Sequence, residues 1–326
     1  MSENAPGKTW RIGIAGLGTV GASLVELLAE RPSFAPAGGE ARISGVSARR
    51  RARSRSDAIS AIPWFDDPVA LAVSPTNDIF VELIGGEEGV GRSAVEAALE
   101  IGKPVVTANK ALIAHHGARL AAIAEASGAP LLFEAAVMGG TPAVKLLREA
   151  LVGDEIRLLA GILNGTSNFI LGRMEAEGSS FADALAEAQE LGYAEADPAM
   201  DISGVDAGHK ITILAALAFN RAPLFSATDV RGLEAVDTLD IRLAAMLGYK
   251  IRLLAQASAA GETMSAGVHP ALICRAHPLA GVEGAANALF IEGRRCGRIF
   301  LQGAGAGAGP TAAAVAADIA DVMAGA

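Results

Sequence analysis

The feature that most restricts the fold of this 326-residue chain is a glycine-rich turn near its N-terminus, Gly16-Leu-Gly-Thr-Val-Gly21. An apolar run, Trp10 to Ala15, precedes it as a candidate strand, and apolar residues at helical spacing follow it from Thr19 to Glu30. In such a unit the first glycine permits a tight turn, the second lets the backbone approach a pyrophosphate, and the third allows close helix packing. The pattern predicts a dinucleotide-binding unit; the alternative is a set of glycines that only turns the chain.

The alternation of strands and helices continues after this unit. We predict further strands at 43–47, 78–83, 104–107 and 130–133 and helices at 90–100 and 108–127. This order is typical of an α/β fold with a Rossmann-type, doubly wound parallel sheet. After Pro142 we predict helices at 143–151, 167–177, 181–191 and 202–219, then strands at 250–257, 288–292 and 298–301 without crossover helices, which indicates a second, α+β domain. We expect domains over 1–142 and 143–308, with a C-terminal helix over 309–326 returning to the first domain.

Charge and hydropathy exclude several classes of function. The chain has 27 Lys and Arg against 36 Asp and Glu, a formal net charge of −9, so its surface repels nucleic-acid backbones and anionic lipid. It contains no apolar run of about 20 residues that could span a membrane and no signal-peptide pattern at its N-terminus. We therefore expect a cytoplasmic protein with a small-molecule ligand and neither a nucleic-acid nor a membrane partner. Cys274 and Cys296 lack metal-site spacing and are expected to be either small buried side chains or idle thiols.

The end of the second predicted strand bears on the choice of cofactor. An acidic residue at this point would bind the ribose 2′-hydroxyl of NAD, whereas arginine accommodates the 2′-phosphate of NADP. The sequence has no acid here and three consecutive arginines, Arg49, Arg50 and Arg51. NADP is therefore favoured, with NAD still possible, and the alternative is a solvated basic loop without a ligand.

The next two strand ends also carry small or ionisable residues. Gly85 and Gly86 follow one strand, and Thr107 and Lys110 follow the next. Both ends are expected at the carboxyl edge of the sheet, where open α/β sheets bind ligands. Lys110 is a candidate for electrostatic stabilisation or proton transfer; the alternative is a solvated side chain that opens a helix.

Two further turns combine glycines with possible ligand groups. The segment Glu134 to Pro142 offers peptide carbonyls and one carboxylate, which could hold a hard cation, although an interdomain hinge fits it equally well. Near the C-terminus, Gly303 to Thr311 alternates glycine and alanine before the last helix. We predict a binding loop there, since a flexible linker so close to the C-terminus would have nothing to link.

The densest group of ionisable residues extends from Gly192 to Lys210. Asp206 and Lys210 lie four residues apart and share one helix face, which is also the spacing of an ordinary surface ion pair. Asp201 is an N-cap candidate for the same helix. However, the helix continues as an apolar run from Ile211 to Phe219, and a helix that is apolar all round is buried. A lysine and two aspartates at the mouth of a buried helix favour a site over a surface.

Taken together, four segments resemble the homoserine dehydrogenase family: Gly-Leu-Gly-Thr-Val-Gly at 16–21, Thr-Ala-Asn-Lys at 107–110, Gly-Ile-Leu-Asn-Gly-Thr-Ser-Asn-Phe at 161–169, and Gly-Tyr-Ala-Glu-Ala-Asp-Pro with the later Asp, Asp and Lys at 192–210. The resemblance runs in order from about residue 10 to 323, and the last two motifs are far more specific than a glycine fingerprint. It implies NAD(P)-linked interconversion of L-aspartate 4-semialdehyde and L-homoserine, in the route to threonine and methionine. It also implies that the second domain serves catalysis and dimerisation.

The resemblance further implies roles for individual residues. Lys210 is implied as the proton donor to the carbonyl oxygen, with Lys110 and Asp206 also catalytic. The implied substrate-binding residues are Glu195, Asp201, Asp206, Gly165, Thr166 and Tyr193. The implied cofactor-binding residues are Gly16, Gly18, Thr19, Val20, Gly21, Arg49, Arg50, Gly85, Gly86, Thr107, Lys110, Gly303 and Gly305. A monovalent cation, usually sodium, is implied at Glu134, Val137, Gly139 and Thr141.

The chain ends at Ala326, directly after the last predicted helix. We therefore expect neither the regulatory ACT domain nor the fused aspartate kinase of other family members, and no threonine feedback through such a domain. The family resemblance implies a homodimer, with a tetramer as the alternative. Two other functions stay open: a related NADP-dependent dehydrogenase of another amino or hydroxy acid, and a non-catalytic NADP-binding sensor.

Overall fold

The computed structural model describes residues 7–35, 38–50, 57–261 and 263–325. Its contacts divide the chain into unit 1, residues 1–140 with 307–326, and unit 2, residues 141–306. Arg51, the third arginine of the basic run, lies outside the described residues. Among the helices described, none has the length and apolar character needed to cross a bilayer.

Unit 1 is built on a five-stranded sheet in the order β2-β1-β3-β4-β5, and every neighbouring pair is parallel. Its strands are β1 Thr9–Ala15, β2 Glu40–Ser47, β3 Ile79–Glu82, β4 Val105–Thr107 and β5 Leu131–Leu132. Its first five helices are α1 Thr19–Glu30, α2 Asp57–Ser60, α3 Pro68–Val73, α4 Val90–Glu100 and α5 Lys110–Ser127. The sheet confirms the predicted Rossmann-type fold, and α1 begins and ends at the predicted residues.

The core of unit 1 joins the first strand to the last helix of the chain. Ile12 and Ile14 of β1 are fully buried, because a central strand covered on both faces carries apolar residues throughout. They belong to one apolar cluster with Leu24 of α1 and with Val315 and Ile319 of the C-terminal helix, which spans Ala308–Ala324 and is numbered α12 below. Burial of these side chains holds the C-terminal helix against α1.

Unit 2 has a six-stranded sheet in the order β11-β10-β6-β8-β9-β7, antiparallel except where β7 pairs with β9. Its strands are β6 Ile156–Ile162, β7 Asp229–Val230, β8 Tyr249–Ala260, β9 Thr263–Cys274, β10 Ala286–Gly293 and β11 Gly297–Ala304. Its helices are α6 Ala143–Lys145, continued by a π-helical turn Leu146–Ala150, then α7 Gly165–Glu177, α8 Phe181–Glu190, α9 Ala199–Ile202, α10 Val205–Ala218 and α11 Thr238–Met246. The mixed sheet with its helices confirms the predicted second domain of the α+β class.

The sequence did not predict β6, β9 or α11. The strand β9 contains Gly267 and Pro270, and both residues weaken a strand pattern. The structure accommodates the proline because β7 pairs with only Gly267 and Val268, which leaves the backbone of Pro270 on an open edge. Twelve residue pairs with β8 form this strand, so tertiary contact decides its conformation.

The predicted glycine loop near the C-terminus is shorter than expected. Gly303 lies within β11 opposite Asn287, and the C-terminal helix begins at Ala308, inside the predicted loop of Gly303 to Thr311. A proline at position 310 is tolerated in this first helical turn, where the missing N–H group has no intrahelical partner. A Cβ atom at Gly305 would overlap the Asn287 side chain, so close packing requires glycine there.

The interpretation of the two cysteines as small buried side chains is wrong, and the alternative of idle thiols stays open. Cys274 ends β9 and Cys296 lies in the turn between β10 and β11, and both are exposed. Strand ends and hairpin turns lie at the surface, and a small side chain there has little apolar area to bury.

Two glycines of the turn before α1 have different physical roles. Gly16 has φ of +103°, and a Cβ atom there would overlap the carbonyl oxygen of Leu83. Gly18 has φ of −76°, which any residue adopts, and a Cβ atom there would meet nothing within 4 Å. The fold of unit 1 therefore requires glycine at position 16 but not at position 18.

We predict that Gly16→Ala lowers the free energy of unfolding by about 2 kcal/mol or more, from backbone strain and the clash with Leu83. Gly18→Ala is the matched control, and its unfolding free energy is expected to stay within about 0.5 kcal/mol of the original. Urea denaturation of both variants measures the difference. Equal stability of the two variants would contradict this account of the turn.

Candidate active site

The centre of the candidate site in unit 2 is a buried ion pair on α10. Lys210 Nζ donates a hydrogen bond to Asp206 Oδ2 at 2.8 Å and another to the carbonyl oxygen of Leu163 at 2.7 Å. The two side chains are only 9% and 10% exposed, so this is not the solvated surface pair that the spacing also allowed. An ammonium carries three N–H donors. Lys210 uses two of them on described residues, and the third is available to a bound molecule.

Asn164 holds the pair together from the start of α7. Its Oδ1 accepts from the backbone N–H of Ser167 at 2.8 Å, the bond of an N-cap residue. Its Nδ2 donates to Asp206 Oδ2 at 2.8 Å and to Asp201 Oδ1 at 2.7 Å. Asn164 is not among the predicted site residues. Its N-cap position could have been predicted from Asn-Gly-Thr-Ser, but the contact with residues about 40 positions later could not.

The alternative position for Asp201, as the N-cap of α10, is not observed. Asp201 lies within α9, and the N-cap is Gly204, in a left-handed conformation with φ of +81°. Burial raises the pKa of Asp201 above its ordinary value; the hydrogen bond from Asn164 opposes this shift, and the negative charge of Asp206 adds to it. Two carboxylates thus share one amide beside one ammonium, a local excess of negative charge that suits a cationic ligand group.

The other predicted substrate residues divide into two groups. Thr166 Oγ1 donates to the carbonyl oxygen of Tyr193 at 2.7 Å, and the Tyr193 ring packs on Phe169 with centroids 4.9 Å apart. Gly165 lies so close to the carbonyl group of Ala285 that a Cβ atom would overlap it. The first two contacts join α7 to the segment that follows α8, and the third joins it to the residue before β10. The side chain of Glu195 is exposed, and no described contact connects it to Asp201, Asp206 or Lys210.

In unit 1, a cavity of about 650 Å³ lies at the carboxyl edge of the parallel sheet. It is lined by five of the predicted cofactor residues, Gly16, Gly18, Arg49, Arg50 and Gly85. Three more, Thr19, Val20 and Gly21, form the first turn of α1. The space in front of Gly18 and the exposed guanidinium groups fit a dinucleotide with an additional phosphate.

A fully buried carboxylate organises this edge. Glu82 Oε1 accepts from the backbone N–H groups of Ile84 and Gly85 at 2.7 and 2.9 Å, and its Oε2 accepts from Thr107 Oγ1 at 2.6 Å. Thr107 in turn accepts from the backbone N–H of Asn109 at 3.0 Å. The Thr107 side chain is therefore engaged in holding two strand ends. Nothing local in the sequence indicated this role of Glu82.

Asn109 continues the same arrangement. It caps α5 by accepting from the Leu112 N–H at 3.1 Å, and its Nδ2 donates to the carbonyl oxygen of Gly86 at 2.7 Å. Gly86 is thereby fixed next to Gly85. Lys110 is the first residue of α5. It lies at the carboxyl edge of the sheet, as predicted from the strand that precedes it.

The predicted cation segment has suitable donor chemistry. Glu134 is 3% exposed and begins a short 3-10 turn, and Val137 is fully buried. Met138 and Gly139 both have left-handed backbones, with φ of +53° and +50°. Within unit 2, Thr141 is also buried. A carboxylate, a hydroxyl and the carbonyls of a tight turn are oxygen donors of the kind that hard cations bind.

Comparison with known proteins places both units in one family. Residues 16–134 match the family model described as homoserine dehydrogenase, NAD binding domain, and residues 142–320 match the homoserine dehydrogenase model. The homoserine dehydrogenase of Neisseria gonorrhoeae is 45% identical over 317 residues, covering 97% of this chain and 72% of that protein. That of Pseudomonas aeruginosa is 43% identical, covering 97% and 73%.

Solved structures agree with the sequence comparisons. A homoserine dehydrogenase from Thiobacillus denitrificans superposes with a TM-score of 0.91 at 43% identity, covering 98% of this chain and 74% of that one. A mutant of a hyperthermophilic archaeal homoserine dehydrogenase, solved in complex with NADPH, has a TM-score of 0.81 at 31% identity, covering 95% and 96%. With its glycine turn, buried Lys-Asp pair and matches over nearly its whole length, this chain belongs to the homoserine dehydrogenase family.

Proposed function

We propose that this protein catalyses the NADP(H)-dependent interconversion of L-aspartate 4-semialdehyde and L-homoserine, a step toward threonine and methionine. The observation that carries the proposal is the buried ammonium of Lys210. It donates to Asp206 and to the Leu163 carbonyl, and its third N–H is available to a substrate. Reduction of an aldehyde needs an acid at the oxygen where negative charge develops. Membership of the family supports the choice of substrate.

Lys210 is the proposed general acid. In the direction of reduction, its free N–H donates a hydrogen bond to the aldehyde oxygen and then transfers the proton as that oxygen becomes a hydroxyl. The neighbouring carboxylate of Asp206 stabilises the ammonium before transfer and orients it through the 2.8 Å hydrogen bond. In the reverse direction the neutral amine accepts the proton of the homoserine hydroxyl. Lys110 is proposed as a second catalytic cation.

The carboxylates around Asn164 are proposed to bind the amino group of the substrate. An α-ammonium is attracted by Asp201, Asp206 and the exposed Glu195. Gly165, Thr166 and Tyr193 are proposed to shape the adjoining wall, because Thr166 fixes the Tyr193 backbone against α7. Asp201 has to be ionised for this role, so its raised pKa places the loss of substrate binding at a higher pH than for an exposed aspartate.

The cavity at the edge of the unit 1 sheet is proposed to hold NADP(H), with NAD(H) as the alternative. When bound, the nicotinamide supplies or accepts the hydride. Gly16, Gly18 and the first turn of α1, Thr19 to Gly21, are assigned to the pyrophosphate, and Arg49 and Arg50 to the 2′-phosphate. The remaining proposed contacts are Gly85, Gly86, Thr107, Lys110, Gly303 and Gly305. The archaeal relative solved with NADPH supports this class of cofactor.

A monovalent cation, sodium, is proposed at the turn formed by Glu134, Val137, Gly139 and Thr141. The supporting observations are the buried Glu134 and the left-handed backbone at Gly139. Its proposed role is to fix the conformation of this turn, and no step of the reaction passes through it.

We further propose a cytoplasmic homodimer that associates through the unit 2 sheet. The strand register places Leu158, Leu254 and Phe300 on one face of that sheet. The two leucines are only partly buried and Phe300 is 37% exposed, so this face has apolar area for a second copy to cover. The free, exposed cysteines suit a reducing compartment.

The substrate assignment predicts that the protein oxidises L-homoserine selectively. With NADP⁺ or NAD⁺, production of the reduced cofactor at 340 nm is expected with L-homoserine and at least about 100-fold less with L-threonine, L-serine or 4-hydroxybutyrate. The last compound lacks the ammonium assigned to Asp201 and is the closest control. Preferred turnover of another alcohol would identify a different substrate. No turnover of any of these alcohols, with NADP(H) still bound, would favour the sensor function.

The cofactor assignment predicts a selective loss of NADP⁺ affinity in the double variant Arg49→Ala/Arg50→Ala. Removing both guanidinium groups should weaken NADP⁺ binding about 100-fold or more, since each charge-assisted hydrogen bond to phosphate is worth about 1.5–3 kcal/mol and two are lost. NAD⁺ affinity should change less than about threefold, because NAD⁺ has no 2′-phosphate. Steady-state KM and fluorescence titration measure both. An equal loss for the two cofactors would mean that these arginines do not meet the phosphate.

A further inference from the structure

Unit 2 contains a second large cavity, of about 940 Å³, that the proposed reaction does not use. It lies between α7, α11, the first residues of β8 and the segment 282–284, and none of Asn164, Asp201, Asp206 and Lys210 lines it. Five of its lining side chains are cationic, Arg173, Arg242, Lys250, Arg252 and Arg275. Glu175 and Glu283 are the acidic residues of the described lining, and Arg173 is paired with Glu177 and Glu187 outside it. A concentration of positive charge in a chain of net charge −9 indicates an anionic ligand.

Three of these cations converge on one carboxylate. Arg252 Nη2 and Arg275 Nη2 lie 3.1 and 3.0 Å from the Glu175 oxygens, and Lys250 Nζ lies 3.6 Å away. Lys250, Arg252 and Glu175 are 17%, 3% and 16% exposed, so solvent screens their charges poorly. One carboxylate balances one of the three positive charges. The complement of the remaining two is a dianion.

Buried polar atoms in the cavity wall also lack partners. Arg252 Nε makes no hydrogen bond within the described structure, although the residue is only 2% exposed. Asn168 donates through Nδ2 to the carbonyl oxygens of Val282 and Gly284 at 3.1 and 2.9 Å, but its Oδ1 accepts none. Buried polar groups are almost always paired, so two orphans in one cavity wall point to a missing ligand group.

The rest of the wall limits the ligand to a small molecule with some apolar surface. Phe169, Leu239 and Ile241 line the cavity beside the cations. The volume lies within the range of about 300–1,000 Å³ that is usual for small-molecule sites. The planar guanidinium fork of Arg275, 47% exposed, can bind carboxylate or phosphate oxygens in pairs.

We propose that this cavity is a binding site for a small organic dianion, a dicarboxylate or a phosphate monoester, with its charged groups on Lys250, Arg252 and Arg275. The site is separate from the proposed catalytic residues, but α7 belongs to both, because Asn168 and Glu175 line the cavity and Asn164 caps the same helix. A ligand there contacts the helix that positions Asp206.

The test is isothermal titration of the whole enzyme, saturated with NADP⁺ so that the cofactor cavity is filled, with succinate and inorganic phosphate at constant ionic strength. NADP⁺ binding is titrated first, so a failure of the cofactor assignment is recognised separately. We expect saturable binding of at least one dianion and at least a tenfold weaker affinity in Arg275→Gln, since a charged hydrogen bond is lost. Binding of succinate but not phosphate would identify a dicarboxylate site. Binding of phosphate but not succinate would identify a phosphate site.

Arg275 is half exposed, so Arg275→Gln is expected to fold, and Lys250→Gln provides a second variant with the same expected loss. The matched control is Arg231→Gln, an arginine that is 74% exposed and outside the cavity, which should bind as the original does. Absence of saturable binding of either dianion, or equal affinity in Arg275→Gln and the control, would overturn the proposal.

Discussion

The hydrogen-bonded group of Lys210, Asp206 and Asn164 is the interaction on which the geometry of unit 2 depends. Burying an ion pair is costly, and it is tolerated here because both charges have further partners: Lys210 also bonds the Leu163 carbonyl, and Asp206 also accepts from Asn164. Loss of Lys210 or of Asp206 would leave the opposite charge buried and unbalanced, at a cost of about 3–5 kcal/mol. The same three side chains link the start of α7 with α10, so any change in the catalytic pair also changes how these helices meet.

Unit 1 also contains a buried, hydrogen-bonded carboxylate, at the carboxyl edge of its sheet. Glu82 is a buried carboxylate whose partners are two backbone N–H groups and the hydroxyl of Thr107, and these contacts join the ends of β3 and β4. The turn that carries Gly85 is thereby rigid before any cofactor arrives. Preorganised binding of this kind reduces the entropy lost on binding, which supports the proposed placement of the cofactor at this edge.

Local patterns in the sequence were sufficient for part of this structure. The glycine turn and α1 follow from strand, turn and helix signals that are adjacent in the chain, and Asp206 with Lys210 follows from the four-residue helical spacing. Asn164, Glu82 and β9 could not be predicted, because each gains its role from residues more distant in the sequence. The choice for Asp201 between an N-cap and a site residue also needed the structure: Gly204 takes the cap position, and Asn164 binds the Asp201 carboxylate.

The central claim is that Lys210 delivers the proton, and turnover of two variants tests it most directly. Lys210→Met removes the ammonium, while Lys210→Arg keeps a positive charge that cannot release a proton at ordinary pH. Both should lower kcat by about 100-fold or more, with the Kd of NADPH within about twofold of the original, as expected for a lost general acid. If Lys210→Met instead retained kcat to within about threefold, proton delivery by this residue would be contradicted.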